Sequence, residues 1–267
     1  MSAGIHRGYV DTPKGQIHYQ EAGEGRAILL LHQSPSSSRM WEPMLLPLAR
    51  RGYRAVAMDY PGFGQSYKPE TQPTLDDYIQ SLIDVADALG IKEFDCLGHH
   101  TGATFALVLA DRYPDRVGKS VSYGLAYLEP QYAERLANEP PTTFTEEGSE
   151  ILRGWQRYWQ NKQKRNQQGN VNVALRNLTD LVQLGENSGW AHNAIGKLDH
   201  EPILRRVTRP VLIVGGEHDR GLLPGSREAG KILKTGRFVE LPGGTGDIYD
   251  EDPERLADVV DSFLREP

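Results

Sequence analysis

The stretch Phe94-Asp95-Cys96-Leu97-Gly98-His99-His100-Thr101-Gly102 decides how this chain reads. Its apolar start, Phe94 to Leu97, is expected to be a buried strand, and Gly102 to Tyr113 the helix that follows it. The turn between them keeps the frame of the elbow Gly-x-Ser-x-Gly. In that frame the glycines let neighbouring backbone approach closely, and the central side chain is held outward over the sheet. Here His100 stands where a serine nucleophile is expected. The scaffold is therefore specified more fully than the chemistry.

Outward from this turn, short apolar runs alternate with helical stretches, the pattern that builds a parallel sheet covered on both faces. The expected strands are Gly8 to Asp11, Gln16 to Glu21, Ala27 to His32, Arg54 to Asp59, Phe94 to Leu97, Lys119 to Tyr123, Val211 to Gly215 and Arg237 to Leu241. The first two read as a hairpin turned at Pro13-Lys14-Gly15. The expected helices are Arg39 to Arg51, Thr74 to Leu89, Gly102 to Tyr113, Arg227 to Lys234 and Pro253 to Leu264, with Thr74 before Asp76 and Asp77 as a capped start. Between Ala126 and Pro202 the strand signal stops, and Trp155, Tyr158, Trp159, Leu175, Leu178, Leu181 and Leu184 recur near helical spacing. Residues 126–202 are thus expected to form a helical lid inserted between 1–125 and 203–267, with polar Asn161 to Asn170 as a loop between two of its helices.

Composition removes several classes of function. A net charge of −6 over 267 residues argues against a nucleic-acid surface, which needs clustered Lys and Arg. The densest basic run, Lys162, Lys164 and Arg165, reads as a solvated loop. The single cysteine, Cys96, lies in an apolar strand and reads as a small core residue. The N-terminus shows no secretory pattern and no apolar run reaches membrane-spanning length, so a soluble cytoplasmic protein is expected, with a homodimer left open.

Three segments in order resemble the α/β-hydrolase superfamily across nearly the whole chain. They are Ile28 to Pro35 (ILLLHQSP), similar to a strand with an HGxP oxyanion loop, Ala57 to Ser66 (AMDYPGFGQS), similar to the DxPGxGxS loop, and the elbow itself. The resemblance implies an eight-stranded, mostly parallel sheet flanked by helices. It also implies an oxyanion hole from the backbone amides of Ser34 and Thr101, with Gln33 replacing a usual glycine. Pro210 to Asp219 resembles the segment that delivers the triad acid, which places Asp219 at the acid position. Leu241 to Asp247 resembles the loop that carries the triad histidine, and Gly246 occupies that position. The last histidine of the chain is His218, so the order nucleophile, acid, histidine cannot be completed.

What remains is an imidazole at the elbow with carboxylates on neighbouring loops. Histidine titrates near pH 6.5 when unperturbed, so His100 is expected to act as general acid and base, with Asp219 or Asp247 fixing its tautomer. The expected activity is hydrolysis of a C–O or C–C bond in a small organic substrate, without cofactor or metal. Covalent attack by His100 is the less favoured route. The alternatives are proton-transfer chemistry of the lyase or decarboxylase type at the same site, and a silent ligand-binding protein. Gln33, Trp155 and His192 are the candidate substrate contacts, and lid aromatics hint at an apolar or aromatic ligand. His99 and His32 read as packing residues, and no local spacing such as HxxxH points to a metal. The serines at 34 and 36 to 38 read first as helix caps, and Asp250 as a solvated loop charge. Aspartate-nucleophile chemistry, as in haloalkane dehalogenases and epoxide hydrolases, is not expected, because the elbow carries no carboxylate.

Overall fold

In the computed structural model, which describes residues 4–127, 130–164 and 167–267, eight strands form one sheet. They are β1 His6–Thr12, β2 Gly15–Ala22, β3 Arg26–Leu31, β4 Tyr53–Met58, β5 Phe94–His99, β6 Val117–Tyr123, β7 Val211–Gly216 and β8 Gly236–Leu241. Their order is β1-β2-β4-β3-β5-β6-β7-β8, antiparallel for β1 with β2 and β2 with β4, and parallel elsewhere. The helices are α1 Glu42–Arg50, α2 Leu75–Ala88, α3 Thr101–Arg112, α4 Pro130–Ala137, α5 Ser149–Lys164, α6 Val171–Leu184, α7 Trp190–Gly196, α8 Glu201–Arg206, α9 Leu223–Ile232, α10 Ile248–Glu251 and α11 Pro253–Leu264.

The central strands are apolar on both faces because both are covered. In β3, Leu29 and Leu31 join the core formed with Phe105 and Leu82, while Ile28 and Leu30 join the core formed with Met44, Leu48 and Val260. Cys96 is fully buried in β5, and burial pushes its thiol well above the ordinary range, as a core residue requires. Thr74 closes a capping box with Asp77 at the start of α2.

Helix boundaries shift where proline dictates them. The stretch expected as one helix from Arg39 begins instead as a 3-10 turn, Ser38–Trp41, and becomes α-helical at Glu42. Pro43 follows immediately, where its missing N–H leaves no bond unmade. Similarly, α9 starts at Leu223 rather than Arg227, with Pro224 in its first turn. The loop expected from Asn161 starts later, since α5 runs on to Lys164. Polar composition alone does not end a helix when its side chains find solvent or partners. Arg165 lies outside the described residues.

One topological feature places the site. The chain leaves β3 for β4 on one side and returns with β5 on the other, so the loops after β3 and β5 diverge from neighbouring strand ends. A crevice opens at such a switch point, at the carboxyl ends of the strands. Gln33 and Ser34 follow β3, His100 follows β5, and Asp219 and Asp247 follow β7 and β8.

Candidate active site

The β5–α3 turn shows why both glycines are there. A Cβ on Gly98 would stand 2.0 Å from the carbonyl oxygen of Gly102, and one on Gly102 would stand 2.0 Å from that of Leu31. No side chain fits at either place. Between them, His100 has φ 54° and ψ −113°, and it is the one non-glycine residue at positive φ among the described residues. Backbone strain of this kind persists only where surrounding structure holds it. Here the His100 amide donates to the Tyr123 carbonyl at 3.1 Å, and the His100 carbonyl accepts from Ala103 and Thr104 at the start of α3.

Asp219 is buried at 3% exposure on the loop that leads into α9. Polar atoms of His99, His100 and Asp219 all lie within 4.8 Å of one another. The backbone at Gly124 is packed between the last two, since a Cβ there would meet the Asp219 Oδ2 at 3.3 Å and the His100 ring at 3.5 Å. Position 246 lies on the same carboxylate. A Cβ on Gly246 would stand 3.6 Å from Asp219 Cγ and Oδ2, so a side chain there would emerge directly against the acid. The loop bearing it is tied down by the Tyr123 hydroxyl, which donates to the Thr245 carbonyl at 2.6 Å, and by the His218 amide, which donates to the Gly244 carbonyl at 2.7 Å.

His99 is fully buried, with its ring stacked on His100 at 4.7 Å and on Tyr123 at 5.4 Å. Burial, reinforced by the neighbouring His100, pushes its imidazole well below the ordinary histidine range, so it stays neutral. The trio His99, His100 and Asp219 is the group that could hold a cation among the described residues. The two imidazole planes are only 28° apart, an arrangement unlike the convergent lone pairs of tetrahedral ligation. His32 is likewise structural. It stacks on Tyr60 at 3.8 Å, and burial lowers its imidazole to about 4.

At the oxyanion position the Ser34 amide points to the hydroxyl of Thr101 over a long 3.4 Å. Thr101 opens α3, where first-turn amides have no intrahelical acceptor and the helix dipole favours negative charge. Of the other serines, Ser37 accepts from the Arg39 amide as a cap, but Ser36 and Ser37 also donate to Asp180 of α6 at 3.5 and 3.1 Å.

A cavity of about 360 Å³ opens above His100 and Asp219, floored by the core loops and roofed by α5 and α6. Gln33 and Asp247 line it, as expected. Two expected contacts do not. Trp155 turns against Trp159, ring centroids 5.8 Å apart, and the cavity takes Gly154, Arg157 and Tyr158 from the same helix. His192, on α7, bonds Glu139 at 2.5 Å away from the cavity lining. Helical spacing suggested Trp155, and nearness to the return to the core suggested His192, but which face looks inward depends on packing.

The cap residues that matter were hidden in the polar run. Lys162 is buried, not solvated, and its ammonium reaches Asp247 at 2.8 Å and Glu251 at 2.7 Å. Burial opposes its charge, yet the two carboxylates outweigh that and hold its pKa above the ordinary lysine value. Asp250, read as a loop charge, instead makes a paired contact with Arg176 of α6 at 2.9 and 2.5 Å. Asp247 is thus paired with a lysine, whereas Asp219 has its carboxylate within 4.8 Å of a ring nitrogen of His100. The signal available in sequence was the i, i+4, i+8 placement of Gly154, Tyr158 and Lys162 on one helix face.

A family model described as alpha/beta hydrolase fold matches residues 26–253, and the chain belongs to that family. It is an enzyme of the α/β-hydrolase superfamily. It is 25% identical to 2-(acetamidomethylene)succinate hydrolase of Mesorhizobium japonicum, over 96% of this chain and 94% of that protein. It is 26% identical to 2-hydroxy-6-oxononadienedioate/2-hydroxy-6-oxononatrienedioate hydrolase of a Pseudomonas species, over 79% and 80% of the two chains. Among solved structures, a hydrolase from Pseudomonas aeruginosa PA01 superposes with TM-score 0.80 at 23% identity, over 98% and 99% of the chains, a likeness of fold. No helix among the described residues is long and apolar enough to cross a membrane.

Proposed function

We propose that this protein hydrolyses a C–O or C–C bond of a small organic substrate with water activated by His100 rather than with a serine nucleophile. Residues 126–202 act as the cap over the reaction. The carrying observation is the closeness of the polar atoms of His100 and Asp219, within 4.8 Å, on a cavity floor where residue 246 has no side chain.

In this reading a ring nitrogen of His100 takes a proton from water while the water oxygen attacks the substrate carbonyl carbon. Asp219 stabilises the imidazolium. The carbonyl oxygen becomes an oxyanion that accepts from the backbone amides of Ser34 and Thr101 at the mouth of α3. Each such donor is worth about 2.7–4 kcal/mol in related chemistry. When the tetrahedral species collapses, the C–O or C–C bond breaks and His100 returns its proton to the leaving oxygen or carbon. The relatives named above, a hydrolase of 2-(acetamidomethylene)succinate and one of 2-hydroxy-6-oxononadienedioate and 2-hydroxy-6-oxononatrienedioate, support the reaction class.

The test is turnover by His100→Ala and His100→Gln across esters, enol lactones, enamides and vinylogous diketones, run in ¹⁸O-labelled water. A kcat loss of roughly 10² to 10⁴-fold, with label in the wild-type product, is the expected result. Full turnover by His100→Ala rejects the proposal. Carbon dioxide release without label, or tight binding with no chemistry, would replace it with the decarboxylase or the binding reading.

A further inference from the structure

Among the described residues, the cavity lining carries one cation without a carboxylate partner, Arg157. Among the described residues of α5 and α6, Arg153 pairs with Glu150, Lys162 with Asp247 and Glu251, and Arg176 with Asp250. Arg157 also lines the cavity, and no carboxylate of the described residues lies in ion-pair range of it. Asn161 stands one helical turn from Arg157, and Asn177 of α6 also lines the cavity, so amide groups accompany the guanidinium.

Lys162 pins its end of α5 to the loop that carries Gly246. Arg157 is five residues earlier, about 7.5 Å along the helix axis at 1.5 Å per residue. The same cavity is thus lined by His100, Asp219 and the bare position 246 and by the Arg157 guanidinium, with the amides of Asn161 and Asn177 also in its lining. A planar fork of N–H donors suits a carboxylate better than any neutral group.

We propose that the substrate is an organic carboxylate, held through Arg157 with its reacting carbonyl several bonds away at His100. This deepens the hydrolase reading and rests on it for the position of the reacting carbonyl. Leu178, Leu181 and Pro35 also line the cavity, apolar surface that suits a carbon spacer. An anionic ligand takes the place of the apolar or aromatic one that the lid aromatics suggested.

The test is calorimetric binding of glutarate, adipate and pimelate, with their dimethyl esters as neutral controls, to the full chain and to Arg157→Gln and Arg157→Lys, alongside turnover by His100→Ala. Arg157 is exposed, so its replacement leaves the core untouched. The expected result is that at least one dicarboxylate binds the wild type and that its ester does not. Arg157→Gln should weaken binding by roughly 10- to 100-fold, as for loss of a hydrogen bond to a charged group. Arg157→Lys should recover part of the loss. Turnover by His100→Ala separates the two readings: lost turnover together with Arg157-dependent binding in the wild-type background keeps both, and unchanged turnover together with that binding keeps the anion site while rejecting His100. Equal binding by Arg157→Gln and wild type, or no dicarboxylate bound by the wild type, overturns the proposal.

Discussion

Two loops meet at Asp219, and they differ in what each has kept. The β5–α3 turn keeps every geometric demand of an elbow, with a glycine against backbone oxygen on either side and a residue at positive φ between them. The loop after β8 sets position 246 against the acid, where a Cβ would stand 3.6 Å away, and carries no side chain there. Space around the turn is fully used, whereas space beside Gly246 is not. The difference teaches that backbone fit and chemical function are separable here: the turn is fixed by sterics whatever its central side chain, and the loop retains a vacancy that sterics do not demand.

The largest effect should come from testing that contrast directly. Gly102→Ala drives a Cβ against the Leu31 carbonyl, which cannot move without disturbing β3, and a loss of about 4 kcal/mol or more is expected. Gly246→Ala adds a methyl at ordinary contact distance and should change stability by less than about 1 kcal/mol. Urea unfolding midpoints of the two variants check this. Similar losses would mean the loop is as tightly packed as the turn.

The same sterics explain what sequence alone could convey. Glycines at 98 and 102 are legible because only glycine satisfies those distances, and the β3 alternation is legible because both sheet faces are covered. The capping box at Thr74 is legible because its donors and acceptors are local. Lys162 was not, since a lysine in a run of Gln and Asn has the composition of a solvated loop. Its burial depends on Asp247 and Glu251, 85 and 89 residues away along the chain. Trp155 fails for the matching reason: helical spacing identifies a face, and packing against Trp159 decides which way it turns.

The two regions should also fail at opposite ends of the pH scale. Beside the turn, burial lowers His32 to about 4 and holds His99 well below the ordinary histidine value. A depressed imidazole contributes stability above its unfolded value near 6.5 that is lost as pH falls through its folded value. His32 alone should cost on the order of 3 kcal/mol by pH 4. Asp180, pushed by burial up to about 6, works against this, because its raised pKa favours the folded state at low pH. Unfolding midpoints between pH 7 and 4 should therefore fall in the wild type and fall more steeply in Asp180→Asn. A flat acid limb would show that the histidines of the turn are not buried neutral.

At the loop the sign reverses. The raised pKa of Lys162 gives stability that is complete below the unfolded lysine value near 10.5 and is lost as pH rises through the folded value. Lys162→Met removes that alkaline dependence. It should cost about 1–2 kcal/mol at pH 7, less than a fully buried pair because Asp247 and Glu251 keep 22% and 31% exposure. Midpoints at pH 7 and at a series of pH values above the unfolded lysine value near 10.5 give both quantities. A variant that retains the alkaline fall would assign it to another group.

The smallest effect asks whether the strain at the turn belongs to the side chain proposed as the general base. At φ 54° a Cβ is disfavoured, typically by about 1–2 kcal/mol, so any residue but glycine at position 100 carries a cost independent of its chemistry. His100→Ala keeps that cost and loses the imidazole, whereas His100→Gly loses both and adds backbone freedom to the unfolded chain, which offsets part of the gain. The glycine variant should therefore exceed the alanine variant in stability by about 0.5–1 kcal/mol, with turnover equally low in both. Denaturant midpoints measured alongside kcat separate the terms. Equal stabilities would mean that the turn is relaxed by its hydrogen bond to Tyr123 and that a histidine sits there at no conformational cost, which would remove strain as a mark of function at this position.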